Sequence, residues 1–471
     1  MSIIRNDIPE FEFSVPVAVI GAGACGLTAA LAAHDAGAEV LVLERDKRPW
    51  GSTSMSLGAM CAINSAEQRR HGVEDSVELF VADVMAKTEG RADAALTRVI
   101  GRESGRVVDW LAASHQVPLL LDFKWTGLGH SRPRLHIPPG RSGEEMLALL
   151  GAACERAGVQ VMTEAHVTDL YADPDGRVRG LRVARPGGVV EVLGCEAIVL
   201  ATCGFGGNQA MIARYIPEMA GAKYFGHEGN QGEGIEWGEQ LGGALADMTA
   251  YQGLGTLADP QQMIVPHPLL LEGGFLVNVA GQRFTHENAN ISGMCVPVLA
   301  QPRGLAWVVF DGRRNQACLA HSVEQRQLAE VGAIRQAGSW AELEKLCNLP
   351  DGSLERENAA IDAARTAGQP DRLGRRFEGT EPLQAPFCAL RVTGALFHTQ
   401  GGLAIDDHAQ VLRSDGTPLP NLFAGGGAAR SIAGPDVTGY LPAVGIAMAI
   451  TLGALAGDAA ARLALSRDGT A

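Results

Sequence analysis

Two short apolar blocks near the start of the chain are continuous rather than alternating. Residues 17–20 and 39–43 predict strands covered on both faces, and the Ala/Leu-rich stretch 27–36 between them predicts a helix. Residues 74–115 read as helices. Residues 130–143 are polar with prolines and read as a loop, 144–157 as a helix and 159–163 as a strand. The runs 167–171 and 178–183 flank Asp173-Pro-Asp-Gly176, a turn sequence, and so predict a hairpin. Residues 189–192 add a third strand, and 197–201 form another both-face-buried strand. From about Ile235 the character changes to long loops with short strands at 274–278 and 306–310, then polar helices across 322–347 and 354–366. The first style returns at 403–405, with turns at Asp406-Asp407 and Ser414-Asp-Gly416. A strand at 422–426 ends in a glycine loop, and 439–456 is a long apolar helix read as buried. The alternation predicts an α/β chain: a doubly wound, Rossmann-like nucleotide domain in two parts, 1–231 and 376–471, with an α+β cap inserted at 232–375.

The first strand, turn and helix carry Gly21, Gly23 and Gly26 as G-x-G-x-x-G, and Glu44 closes the second strand. In that setting the first glycine permits a tight turn, the second lets backbone approach a pyrophosphate, and the third lets helix and strand pack closely. The helix N-terminus offers free N–H groups to phosphate, and Glu44 stands where a carboxylate accepts from ribose hydroxyls. A dinucleotide site follows.

Composition narrows the partners. The net charge of −14 lacks the basic footprint of a nucleic-acid binder. Nine cysteines occur without a C-x-x-C pair, so reduced thiols in a cytoplasmic protein are expected, with no disulfide framework, iron–sulfur site or other metal. The first ten residues lack a signal-peptide core, and no membrane span is expected.

Gly51-Ser-Thr-Ser54, Ala201-Thr-Cys-Gly-Phe-Gly-Gly-Asn208 and Leu422-Phe-Ala-Gly-Gly-Gly427 occur in that order. So do Gly129-His-Ser-Arg-Pro-Arg-Leu-His136, Gly229-Asn-Gln-Gly-Glu-Gly-Ile235, the stretch Leu276-Val-Asn-Val-Ala-Gly-Gln-Arg-Phe-Thr-His-Glu287 and His398-Thr-Gln-Gly-Gly402. This set resembles the fumarate reductase–type flavoproteins, which include the flavin domain of flavocytochrome c and the 3-ketosteroid dehydrogenases. The resemblance implies non-covalent FAD, because 51–56 lack the flavin-linking histidine of the membrane-complex members. It implies cofactor contacts from Gly21, Gly23, Ala24, Cys25, Gly26, Glu44, Arg45, Gly51, Ser52, Thr53, Ser54, Val167, Ala201, Thr202, Gly426, Gly427, Ala443 and Val444. The family usually has Glu or Asn where Gly427 stands, so a side-chain contact to the ribityl region is expected to be lost and FAD to be held less tightly.

For dicarboxylate reduction the resemblance implies two arginines and two histidines. The donor arginine's place, seven residues after Phe284, is Ile291, and the first histidine's place is Gly253. The carboxylate-binding arginine is replaced by Tyr440, and only His398 survives. Tyrosine for arginine removes a bidentate charge and suits a neutral ketone oxygen, as the tyrosine of the ketosteroid dehydrogenases does. The ketosteroid pattern is incomplete too: its members have Tyr at the place of Ile291 and Gly-Thr-Lys-Gly-Gly where His398-Thr-Gln-Gly-Gly402 stands. The expected reaction is α,β-desaturation of a cyclic or small ketone, or the reverse enone reduction, with an unidentified electron donor or acceptor. Tyr440 polarises the oxygen, and His398, with a pKa near neutrality, or Tyr251 takes the proton. His267, His286 and Arg430 suit loop or surface roles as well. The other readings are a fumarate reductase-like carboxylate enzyme using Arg132, Arg134 or Arg430 as the clamp, and a flavoprotein subunit of an electron-transfer pair.

Overall fold

Five parallel strands form the centre of the first of two compact units in the computed structural model, which describes residues 2–123 and 127–468. In chain order they are Ser14–Ile20, Val40–Leu43, Gln160–Met162, Val190–Leu200 and Pro418–Ala424. In space they run 3-2-1-4-5. The order reverses between Ser14–Ile20 and Val190–Leu200, where an open α/β sheet leaves a crevice beyond its carboxyl ends. Val17, Val19, Val42, Ile198, Leu200 and Leu422 are all buried, as continuous apolar runs require. This unit takes in the chain up to Pro217, then Gly226–Tyr251, and everything from His398 onward.

The last helix, Val444–Asp468, is long and apolar enough by length and composition to cross a membrane, yet two-thirds of it is buried. It packs on the first helix, Ala24–Asp35. A Cβ on Gly453 would stand 2.4 Å from the Cys25 carbonyl oxygen, and one on Gly457 2.0 Å from that of Ala29. Small residues therefore set how closely the two backbones approach.

The structure departs from the sequence reading in several places. A single 11-residue strand, Val190–Leu200, replaces the two expected there. Its first half pairs antiparallel with Val178–Ala184 and its second half parallel with Ser14–Ile20. The stretch 130–143 is not all loop: Leu135–Ile137 is a buried strand between Met60–Cys61 and Leu120–Leu121. Residues 232–251 pack in the first unit rather than with a cap, because helix Glu233–Gln240 buries Ile235 and Trp237 and sets Gly238 against Leu403.

The second unit, Glu218–Phe225 and Gln252–Phe397, contains a mixed, mainly antiparallel sheet. Its long strand, Phe387–Thr399, pairs with Leu305–Asp311, which pairs with Phe275–Val277. Residues 376–397 thus belong here. Beneath the sheet, Arg283 and Arg375 both donate to the fully buried Glu287, and Arg283 also pairs with Asp371. With a doubly charged partner set, Glu287 stays ionised: its carboxyl is held below the usual range by the two guanidiniums against the opposing effect of burial.

Candidate active site

The glycine turn is built as its sequence requires. Gly21 has φ of 104°, and a Cβ on it would stand 2.5 Å from the Ala201 carbonyl oxygen. A Cβ on Gly26 would lie 1.8 Å from the Gly21 oxygen. Around Gly23 the space is open, with Thr53 Oγ1 at 3.6 Å from the corresponding point. Gly23 precedes the helix without a side-chain cap, and Ala24 N–H donates to Thr53 Oγ1 at 3.1 Å. Cys25 and Gly26 begin the helix. Glu44 accepts the N–H groups of Ala22 at 2.9 Å and Asp46 at 3.0 Å, and Arg45 pairs with Glu233 at 3.3 Å. Ala165, two residues before Val167, donates its N–H to the Glu44 carbonyl at 2.8 Å.

The remaining predicted contacts gather at the same carboxyl ends. Ala201 N–H donates to the Ile20 carbonyl at 2.9 Å. Ser52 Oγ, one residue past Gly51, accepts from Asn230 Nδ2 at 3.1 Å and lies 3.3 Å from Cys203 Sγ. A Cβ on Gly426 would be 3.4 Å from Cys25 Cβ. One on Gly427 would be 2.6 Å from Gly204 N, so no side chain fits there without movement. Two loops thus approach closely at Gly427 and Gly204. Ser54 Oγ and Thr202 Oγ1 are buried and have no hydrogen-bond partner among the described residues. Two orphaned buried hydroxyls in the glycine-rich segments that follow the parallel strands, with a glycine turn leading into a helix N-terminus, suit a dinucleotide.

Next to this cradle stand Tyr440 and His398. Thr399 Oγ1 accepts the Phe205 N–H at 3.1 Å and packs on Gly204, whose other neighbour is Gly427. His398 is therefore one residue from the flavin-loop cluster. Its ring meets the Tyr440 ring edge-on, with centroids 5.4 Å apart and planes at 78°. The Tyr440 hydroxyl lies beside Gly445, in the first turn of the last helix. A Cβ on Gly445 would stand 3.5 Å from the Tyr440 oxygen and 3.7 Å from His398 Nε2, so this glycine keeps the gap between them clear. Ala443, at φ of 66°, and Val444 carry the chain into that helix. The Ala443 carbonyl accepts from Cys61 N–H at 3.2 Å, and that of Pro442 from His130 Nε2 at 2.9 Å.

Burial pushes the Tyr440 phenol well above its ordinary value, so it is protonated at any working pH. Burial also pushes His398 down to about 4. The expectation of a near-neutral histidine is thereby corrected: desolvation, with no charged group among the described residues to offset it, keeps the imidazole neutral. Its Nδ1 lies 2.6 Å from Gln400 Nε2. Tyr251 is buried at the start of strand Tyr251–Ala258, beside Ala250, whose carbonyl accepts Gln400 N–H at 2.8 Å.

A Cβ on Gly253 would lie 2.1 Å from Cys295 Sγ, which leaves no room for histidine. His267 is no surface residue: burial pushes it down to about 4. His286 Nδ1 accepts Asn288 N–H at 3.2 Å and shapes its loop. Arg134 is fully buried with a bidentate pair to Asp75 at 2.7 and 2.8 Å and a further bond to Asp83. Arg430 donates to Asp247 at 2.6 and 3.0 Å and to Asp93 at 2.8 Å. Arg132, exposed, donates to the carbonyls of Glu74 and Ser131. The sequence reading assigned no role to Gly445, Gln400, Thr399 or Asn230. Gln400 and Thr399 lie inside a motif it quoted, and the signal for Gly445 was only its nearness to Tyr440.

Residues 16–439 match the FAD binding domain family. The chain belongs to that family. It is 28% identical over 454 residues to a probable fumarate reductase of Shewanella frigidimarina, across 96% of this chain and 75% of that protein. It is 30% identical over 470 residues to a urocanate reductase of Eggerthella lenta, across 96% and 75%. Among solved structures, an open flavocytochrome c3 fumarate reductase superposes with a TM-score of 0.83 at 28% identity, over 97% of this chain and 79% of that one. A 3-ketosteroid-Δ4-(5α)-dehydrogenase of Rhodococcus jostii RHA1 gives 0.78 at 26% identity, over 98% and 100%. This member of the family is accordingly an FAD-dependent oxidoreductase acting on CH–CH groups.

Proposed function

We propose that this flavoprotein moves a hydride between FAD and a carbon–carbon bond next to a carbonyl, reducing an enone or, in reverse, desaturating a cyclic or small ketone. The observation that carries this reading is the Tyr440–His398 pair: two part-buried side chains, both kept uncharged by desolvation, flanking a glycine at a helix N-terminus. Bound FAD supplies the hydride exchange. Tyr440 donates its proton to the carbonyl oxygen, and His398 donates from Nε2 to the same oxygen. Negative charge builds there as the carbon–carbon bond changes order, so donors already in place stabilise that charge more than the ground state. The positive end of the helix dipole acts in the same direction. His398 is too weak a base at neutral pH to take the α-proton, which leaves Tyr251 as the candidate.

A second reading, reduction of an unsaturated carboxylate, is favoured by the likeness to urocanate and fumarate reductases. Against it, Arg134 and Arg430 already hold carboxylates, and a bidentate clamp needs a free guanidinium. Arg132 alone of the three candidates has no carboxylate partner among the described residues.

Anaerobic bleaching of the flavin by saturated cyclic ketones, against saturated di- and tricarboxylates, separates the two. Bleaching by ketones alone is the expected result, and bleaching by carboxylates alone overturns it. With the active ketone, Tyr440→Phe is expected to slow flavin reduction by about 100-fold or more, the typical loss for one such donor, while FAD content stays unchanged. A rate within twofold of the parent protein removes Tyr440 from the mechanism.

A further inference from the structure

The ring nitrogen of His398 that carries the proton is decided by a side chain on the next strand turn. Gln400 is buried, and its own backbone is fixed at both ends: its N–H donates to the Ala250 carbonyl at 2.8 Å, and its carbonyl accepts Ser431 N–H at 2.8 Å. Its side-chain Nε2 lies 2.6 Å from His398 Nδ1. The other neighbour of Nδ1, the Thr399 carbonyl, is at 3.5 Å, the outer limit of a hydrogen bond. In a neutral imidazole one nitrogen donates and the other accepts, and the bond made by one sets the state of the other.

We propose that Gln400 is a positioning residue: by donating to Nδ1 it holds His398 as the Nε2–H tautomer, so that the ring offers a hydrogen-bond donor, not a base, beside the Tyr440 hydroxyl. This rests on the reading of Tyr440 and His398 as partners for a carbonyl oxygen, and it gives that site its polarity. Two donors, Tyr440 O–H and His398 Nε2–H, converge where Gly445 leaves space. A ligand atom seated there must accept hydrogen bonds from both, as a ketone or enone oxygen does. The burial of the ring reinforces the assignment, since it disfavours the doubly protonated form. No ion pair or charged hydrogen-bond partner of His398 is present among the described residues.

The test reads the ring directly. Holoenzyme labelled with 15N-histidine gives imidazole nitrogen signals for the 12 histidines, and those of His398 are the ones absent from His398→Gln. The expected result is an unprotonated Nδ1 and a protonated Nε2, unchanged from about pH 8 to about pH 6, where an ordinary histidine titrates. A protonated Nδ1, or titration in that range, overturns the proposal. Gln400→Glu, of the same size, puts a carboxylate against Nδ1 and is expected to move the proton there. With the active ketone it should also slow flavin reduction by about 100-fold or more, as loss of one donor does. An unshifted tautomer in that variant also overturns the proposal, and if the variant fails to fold, the parent spectrum alone decides. These spectra need no substrate, so they stand apart from the bleaching experiment: carboxylate-only bleaching with an Nε2–H ring rejects the ketone and keeps Gln400's role.

Discussion

Gly427 shows how one missing side chain is read differently before and after the structure. From the sequence it is a lost contact. In the structure its hydrogen faces the Cys203–Gly204 backbone, and a Cβ would stand 2.6 Å from the Gly204 nitrogen. Neither partner is a flexible side chain, so relief requires one loop to move. Gly427→Ala is therefore expected to destabilise by about 1–3 kcal/mol, the usual range for overpacking, and to lower FAD content. The ratio of flavin to protein absorbance after purification checks it, and full loading at unchanged stability rejects the close approach. The charge states at the site were even less legible. A histidine in a glycine-rich motif carries an ordinary pKa on paper, and only the enclosure of His398 shows that it is pushed to about 4. Likewise Arg134 and Arg430 look like free cations in sequence. The carboxylates that neutralise them come from Asp75, Asp83, Asp93 and Asp247, up to 337 positions away.

The elements read well where their periodicity was undivided and poorly where a strand changed company. Ser14–Ile20, Ala24–Asp35, Gly143–Ala157 and the 166–184 hairpin follow from apolar runs, alanine-rich composition and the Asp-Pro-Asp-Gly turn. Phe387–Thr399, the longest strand, has no comparable signal, because Arg391, Thr393 and Gly394 interrupt its apolar positions. Val190–Leu200 has exposed residues at one end and buried residues at the other, so it looked like two strands. The glycines of helices separate by what they face. Gly457→Ala would drive a Cβ to within 2.0 Å of the Ala29 carbonyl oxygen and force the first and last helices apart. Gly151, in helix Gly143–Ala157, has nothing within 4 Å of its virtual Cβ. Gly151→Ala should raise stability by about 0.5–1 kcal/mol through helix propensity alone. Gly457→Ala should lower it by about 1–3 kcal/mol. Thermal unfolding of the holoenzyme variants in parallel checks both signs, and stabilisation by Gly457→Ala contradicts the helix contact.

Across the whole molecule, one fully buried and two part-buried histidines tie stability to pH in both compact units. His136 and His398 lie in the first and His267 in the second, and burial pushes each from 6.5 down to about 4. His136 is satisfied in its neutral form: Nδ1 donates to the Arg134 carbonyl and Nε2 accepts from Ser65 Oγ, both at 2.7 Å. In the unfolded chain all three rings take a proton near pH 6.5, whereas in the native protein they stay neutral until about pH 4. Between those limits the unfolded state binds more protons, so stability falls as the pH falls. Each histidine contributes up to about 1.4 kcal/mol per pH unit in that window. Above pH 6.5 the three contributions are fully present and constant. Carboxylates held low by guanidinium partners, such as Asp83, Glu287 and Asp371, add their losses only at lower pH. The expected outcome is a urea midpoint that is flat from about pH 8 to about pH 7 and then drops steadily towards about pH 5, with proton uptake on unfolding. A midpoint unchanged down to about pH 5 would mean that these rings are not held neutral in the native protein, and with them would go the assignment of His398 as an uncharged donor.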